Sequence, residues 1–296
     1  MKRKHKLCLT LLTHHRLDKL KRLVKSVDNL IPHESIEISD LYIVVNTLDE
    51  DYHREVMDEF FGGYTFIRTE SNGKPGKGKN SCRDLFLKTD ADYLCQLDGD
   101  HWLYPTFLIS IAEHLEHYPD LDVLGQYPCD IITPYENTVG HRFTVGDKDQ
   151  YHGAVWGTSM IKMSDHGPGK GHWVDHNHPT NFDRLILQSK RSAQFRMDED
   201  LPNGEDHLYC VQLLKEHQER RLRYFITLSS DLYVCDSTVD NSIQKEFPFY
   251  KYVDEMKNKM FKYVDVNRSS QQELPVIFKP LHLTQEQKEV YIKETF

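Results

Sequence analysis

Residues 93–100 read YLCQLDGD. Tyr93 to Leu97 has the near-continuous apolar texture of a strand covered on both faces, and it runs directly into Asp98-Gly99-Asp100. In extended backbone, residues two apart project to the same side, so both carboxylates can face one cation. Oxygen ligands of this kind suit magnesium or manganese. A polar turn after a strand is the ordinary alternative, and the position of the triplet in the fold decides between the two.

Upstream, the same texture repeats. Lys6 to Thr13 is almost continuously apolar, and Leu17, Leu20, Val24, Val27 and Ile31 then recur at helical spacing. Leu41 to Val45 predicts a second strand, Glu50 to Phe61 a helix, and Tyr64 to Arg68 a third strand after Gly62-Gly63. Asn80 to Lys88 predicts the helix before the Tyr93 strand, and Pro105 opens another after it. Strands alternating with helices imply an α/β fold, a mostly parallel sheet with right-handed crossovers and helices on both faces. Ligands in such sheets sit beyond the carboxyl ends of the strands, where Thr13, Asn46, the Ser71 to Lys79 loop and Asp98 gather.

Downstream the texture changes. Asp122 to Met163 reads as short β-like stretches, and Ser164 to His178 as a long glycine- and histidine-rich surface loop. Pro202-Asn203-Gly204 precedes a helix from Glu205 to His217, and Leu222 to Leu228 returns as a strand. The expected organisation is a catalytic domain over residues 1–235, with a donor half near 1–103 and an acceptor half near 104–235. A C-terminal helical extension over 236–296 follows.

The 37 lysines and arginines stand against 46 aspartates and glutamates, a formal net charge of -9, so no global charge favours a polyanionic partner. The six cysteines are far apart and form no C-x-x-C pair, which predicts buried thiols in a reducing compartment. No apolar run approaches the roughly 20 residues of a membrane helix, and the apolar run Leu7 to Leu12 is too short for a signal peptide. The expected location is cytoplasmic.

Between the third strand and the next helix lies SNGKPGKGKN, residues 71–80, with three glycines and three lysines that can offer backbone amides and ammonium groups to phosphate. It fails the G-x-x-x-x-G-K-[ST] pattern because Asn80 follows Lys79, which disfavours a P-loop NTPase. Glu205-Asp206 opens a helix, where carboxylates also complement the helix dipole.

Taken in order over Lys6 to Cys235, these motifs resemble the inverting glycosyltransferases of the GT-A fold, the family 2 group in particular. The resemblance implies a nucleoside diphosphate-sugar donor, UDP-sugar favoured, with Thr13, Arg16, Asn46, Asn72, Gly73, Lys77, Lys79, Asn80 and Asp98 on the donor side. It implies Mn2+ or Mg2+ held by Asp98 and Asp100, with His101 in place of a further carboxylate and close to the metal or the sugar. Asp206 takes the role of general base, Glu205 that of runner-up, and Trp156-Gly157 that of a platform for the donor sugar or acceptor. The family's later metal-ligating histidine has no counterpart between His217 and His282; Asp236 is a weak substitute, and the third ligand is left unassigned. The acceptor is open: a glycan, a lipid-linked sugar, a protein or a modified DNA base.

Two other readings compete. A sugar-nucleotide nucleotidyltransferase would carry a glycine-rich motif after the first strand, whereas Thr13-His14-His15-Arg16 contains none. A catalytically inactive carbohydrate-binding protein of the same fold is allowed by His15 and His101, which depart from the family pattern. His166, His172, His176 and His178 lack a C-x-x-C partner for zinc and read as a loop over the acceptor.

Overall fold

The computed structural model describes residues 4–69, 73–126, 130–132, 141–142, 161–162, 172–174, 184–227, 229, 231–236, 255, 258–259, 272–274, 276–277 and 282–295. The chain opens with β1 (His5–Thr13), α1 (Leu17–Asp28), β2 (Ile36–Val45), α2 (Glu50–Glu59), β3 (Thr65–Arg68), α3 (Pro75–Lys88) and β4 (Tyr93–Asp98). Next come β5 (His101–Leu103), α4 (Phe107–His117), β6 (Val123–Gln126), β7 (Asp130–Ile132), β8 (His141–Arg142), β9 (Ile161–Lys162) and β10 (His172–Val174). β11 (Arg184–Ser189), α5 (Lys190–Ala193), α6 (Glu205–Gln218), β12 (Tyr224–Thr227), β13 (Tyr233–Asp236), β14 (Gln272–Leu274), β15 (Val276–Ile277) and α7 (Gln285–Thr295) complete it.

The main sheet has eight strands in the order β15-β12-β6-β11-β4-β1-β2-β3. It is parallel except at β11, which runs antiparallel to both β4 and β6. β1 sits between β2 and β4, so strand order reverses on either side of it, and the crevice at this switch point opens beyond Thr13 and Asp98. The sequence pattern explains the layering. Leu7, Leu9 and Leu11 are fully buried in the same cluster as Leu20 and Leu23 of α1, while Cys8 packs with Phe86 of α3 on the other face. Fully burying each such side chain contributes about 1.5–3 kcal/mol, and β1 has apolar residues on both faces because helices cover both.

Two findings differ from the pattern. Helix α3 starts at Pro75 rather than Asn80, so most of the glycine- and lysine-rich stretch is helical; proline suits a first helical position because its missing N–H is an orphan donor there. The extension after residue 235 is also more than a helical appendage. Val276–Ile277 pairs parallel with β12 at the edge of the main sheet, satisfying backbone groups an open edge would leave unpaired. Helix α7 packs Ile292 into a cluster with Trp102, Tyr104 and Val234, and Tyr291 donates its hydroxyl hydrogen bond to the Leu103 carbonyl at 2.8 Å.

A four-stranded sheet, β5-β13-β7-β8, flanks the crevice. The described cysteines, Cys8, Cys82, Cys95, Cys210 and Cys235, are all free and buried. Among the described residues no helix is long and apolar enough to cross a membrane.

Candidate active site

The crevice is built from strand ends and helix starts. Leu12 of β1 lies opposite Asp98 of β4, and Thr13 opposite Val45 of β2, so Thr13, Asn46 and Asp98 arrive at one rim. Asp49 caps α2, accepting from the backbone N–H groups of Asp51 and Tyr52 at 2.9 and 3.2 Å. That cap sets the helix so that the buried Tyr52 hydroxyl meets the Thr13 hydroxyl.

Asn46 is 3% exposed and helps hold the rim together. Its Oδ1 accepts from the Thr69 hydroxyl at 2.6 Å, and its Nδ2 donates to the Lys74 carbonyl at 3.2 Å. A Cβ on Gly78 would meet the Asn46 amide at 2.5 Å, so this glycine is required for α3 to approach β2. Gly73 has φ +79 and lies against the His14 ring, where a side chain would collide.

That packing has a measurable consequence for His14. Burial, then the neighbouring His15, pulls its imidazole down to about 4, against the opposing charge of Asp49. Between about pH 6.5 and about 4 the folded state therefore binds fewer protons than the unfolded chain, and stability falls as pH falls through that window. Urea midpoints at pH 7, 5 and 4 should drop more in the parent than in His14→Gln. An NMR midpoint near 6.5 for His14 would contradict the assignment.

Lysines 77 and 79 part company. Two residues turn a helix by about 200°, so while Lys77 is exposed, Lys79 is carried inward. Its Nζ donates to Glu205 Oε1 at 2.8 Å and lies 3.7 Å from Asp98 Oδ2. Burial lowers the Lys79 pKa, but Asp98, Glu205 and Asp206 together outweigh it and hold the ammonium above the ordinary lysine value. Burial pushes the Glu205 carboxyl up, with Lys79 opposing across the 2.8 Å contact. Gly204, at φ 87, turns the chain into α6 so that Glu205 and Asp206 occupy its first turn. Asp206 is half-buried and lines a cavity of about 50 Å3 with Lys79, Asp98 and His101.

The two carboxylates of the acidic triplet lie apart in role. Gly99 and Asp100 form a turn rather than extended chain. Asp98 faces Lys79, whereas Asp100 Oδ1 lies 3.5 Å from His101 Nε2. Strand β13 returns antiparallel to β5 and sets Cys235 opposite His101, so Asp100, His101 and Cys235 present ligand atoms within 4.8 Å of one another. A carboxylate, an imidazole and a thiol are softer company than the all-oxygen set that magnesium or manganese prefers. His101 is buried, its ring 5.0 Å from that of Tyr233, and its Nδ1 accepts from the Asp98 backbone N–H at 3.3 Å. That bond leaves the neutral ring's proton on Nε2, toward Asp100, so His101 orients the carboxylate.

Other expected donor residues have other partners. Asn80 is 1% exposed; its Nδ2 donates to the Met197 carbonyl at 3.0 Å and to Glu199 at 2.8 Å, and its Oδ1 accepts from the Met197 N–H at 2.9 Å. It anchors the segment leading to α6 instead of facing the cavity. Arg16 lies 3.7 Å from Asp18. Asn72, Trp156 and Gly157 fall outside the described residues, as do three of the four histidines of the 164–178 stretch. Tyr52, Cys235 and Tyr233 escaped the sequence reading, since nothing local marks a lone tyrosine or cysteine as part of a site.

The family model for glycosyl transferase family 2 matches residues 9–187. No curated protein matches the chain. Among solved structures, the chain is similar to residues 1–349 of S. aureus TarS in complex with UDP-GlcNAc, at 13% identity and a TM-score of 0.58, covering 86% of this chain and 66% of that one. The same fragment in complex with UDP gives 14% identity and a TM-score of 0.54, over 88% of this chain and 76% of that one. Against the longer S. aureus TarS chain the values are 14% and 0.54, and this chain spans 39% of its length.

Proposed function

Because the chain belongs to glycosyl transferase family 2 and has its GT-A fold, we propose that it moves a sugar from a nucleoside diphosphate-sugar, UDP-sugar favoured, to an acceptor hydroxyl with inversion. The observation that carries this reading is the meeting of Lys79, Asp98 and Asp206 at one cavity, with Glu205 bonded to Lys79 beside it. It is supported by the UDP and UDP-GlcNAc complexes of the TarS structures that share the fold.

In this reading Lys79 and Asp98 position the donor sugar, and Thr13, Asn46 and Asn80 fix the rim through Tyr52, Thr69 and Met197. Asp206 takes the proton from the attacking hydroxyl, because Glu205 is committed to Lys79. Asp98 and Asp100 would hold Mn2+ or Mg2+, with His101 orienting Asp100 and Cys235 close by. Such a cation supplies charge neutralisation for the departing diphosphate.

The test is a thermal-shift screen of nucleotides and nucleotide sugars with and without Mn2+. A ligand specific for the native state at 100 times its Kd adds about 2.7 kcal/mol of apparent stability. Stabilisation by UDP or a UDP-sugar that depends on the cation is expected; a protein indifferent to every nucleotide sugar does not fit the proposal.

A further inference from the structure

One turn beyond Lys79 on α3, and therefore on the same helix face, lies Arg83. It is 0% exposed. Its guanidinium stacks on Tyr209 with Cζ 4.2 Å from the ring centre, and its Nε donates to the Tyr209 hydroxyl at 3.2 Å. Tyr209 is itself held by Gln188 Oε1 and the Ser192 carbonyl, both at 2.9 Å. The stem and one N–H are thus fixed by α6 and β11.

The remaining four N–H groups are not. Nη1 and Nη2 are buried and have no hydrogen-bond acceptor among the described residues. On the neighbouring strand, the Gln96 Oε1 is buried and has no donor among the described residues. Both side chains line the cavity that Asp98 and Asp206 also line. Leaving a buried charged donor unsatisfied costs more than leaving a neutral polar group so, and the arrangement calls for an occupant with acceptor atoms.

The chemistry of the occupant follows from what is lacking. Asp98 and Asp206 already match the charges of Lys79 and Arg83 around the cavity, and Glu205 adds a third carboxylate on Lys79, which disfavours a further anion. Arg83 lacks acceptor atoms and Gln96 lacks a donor; a hydroxyl is both. We propose that Arg83 and Gln96 form a specificity subsite on the cavity floor that takes a hydroxyl of the donor sugar and selects a neutral hexose over a uronate. The inference rests on the donor reading above and deepens it.

The experiment is calorimetric titration of the full chain with Mn2+, using UDP, neutral UDP-hexoses, their monodeoxy analogues and a UDP-uronate. The variants are Arg83→Met and Gln96→Leu, each checked for an intact unfolding transition. In the parent, one neutral UDP-hexose should bind tenfold or more tighter than UDP, on the order of the tenfold to hundredfold that hydrogen bonds to a charged group supply. In Arg83→Met that increment should vanish while UDP affinity stays within about twofold. One monodeoxy sugar should reproduce the loss in the parent and add nothing to it in the variant. An increment that survives both substitutions means the cavity holds only water and overturns the subsite, as does preference for the uronate. Should Arg83→Met fail to fold, Gln96→Leu carries the comparison. Failure of the parent to bind even UDP would remove the donor reading itself, a result distinct from an unchanged increment.

Discussion

Lys79→Met should lower the unfolding free energy by about 3–5 kcal/mol, the cost of stripping the cation from buried carboxylates. Glu205 is 3% exposed and takes its hydrogen bond from Lys79, and Asp98 lies on the other side of the same ammonium. The raised pKa of Lys79 gives the sign of the pH dependence. A folded value above the unfolded one means the stabilisation is fully present at neutral pH and fades only as pH rises beyond the ordinary lysine range. Urea unfolding of Lys79→Met, Glu205→Gln and the pair would close a double-mutant cycle. Because the residues touch, the double variant should recover part of the loss. Equal stability of parent and Lys79→Met would show that the carboxylates are not held by this cation.

Asp206→Asn should lower turnover by about 10²–10⁴, the usual worth of a positioned general base, and leave UDP-sugar affinity unchanged. Release of UDP from the donor measures this without knowledge of the acceptor. Glu205→Gln should behave differently, losing stability before turnover, because Glu205 is the buried half of the ion pair. If Asp206→Asn released UDP at the parental rate, while Glu205→Gln was folded and inactive, the base would be Glu205.

How much of this was legible depended on whether a feature is written locally. Strands β1, β2 and β4 announce themselves because parallel strands covered on both faces need long apolar runs. Asp98, Asp100, Glu205 and Asp206 stand out because they sit where such elements end or begin. Lys79 and Glu205 meet across 126 positions of sequence, and no local pattern records which lysine of three makes that contact. The glycines of residues 73–78 misled for a related reason. Their composition reads as loop, yet Gly76 and Gly78 lie within a helix because Asp198 and Asn46 approach too closely for a side chain. Strand β11 is hidden because it is six residues long, ends in Arg184 and Ser189, and owes its place to an antiparallel insertion between β4 and β6.

The way α7 leans on β5 has a practical bearing on how the molecule can be cut. Residue 235 is where the composition changes and where an engineer would place a stop codon. Yet Ile292 and Tyr291 roof the aromatic wall of Trp102 and Tyr104, immediately beyond Asp100 and His101. Shortening the protein there would bare that wall to water and loosen the strand on which the acidic turn is hung, so the tail belongs to the working enzyme as a keystone belongs to its arch.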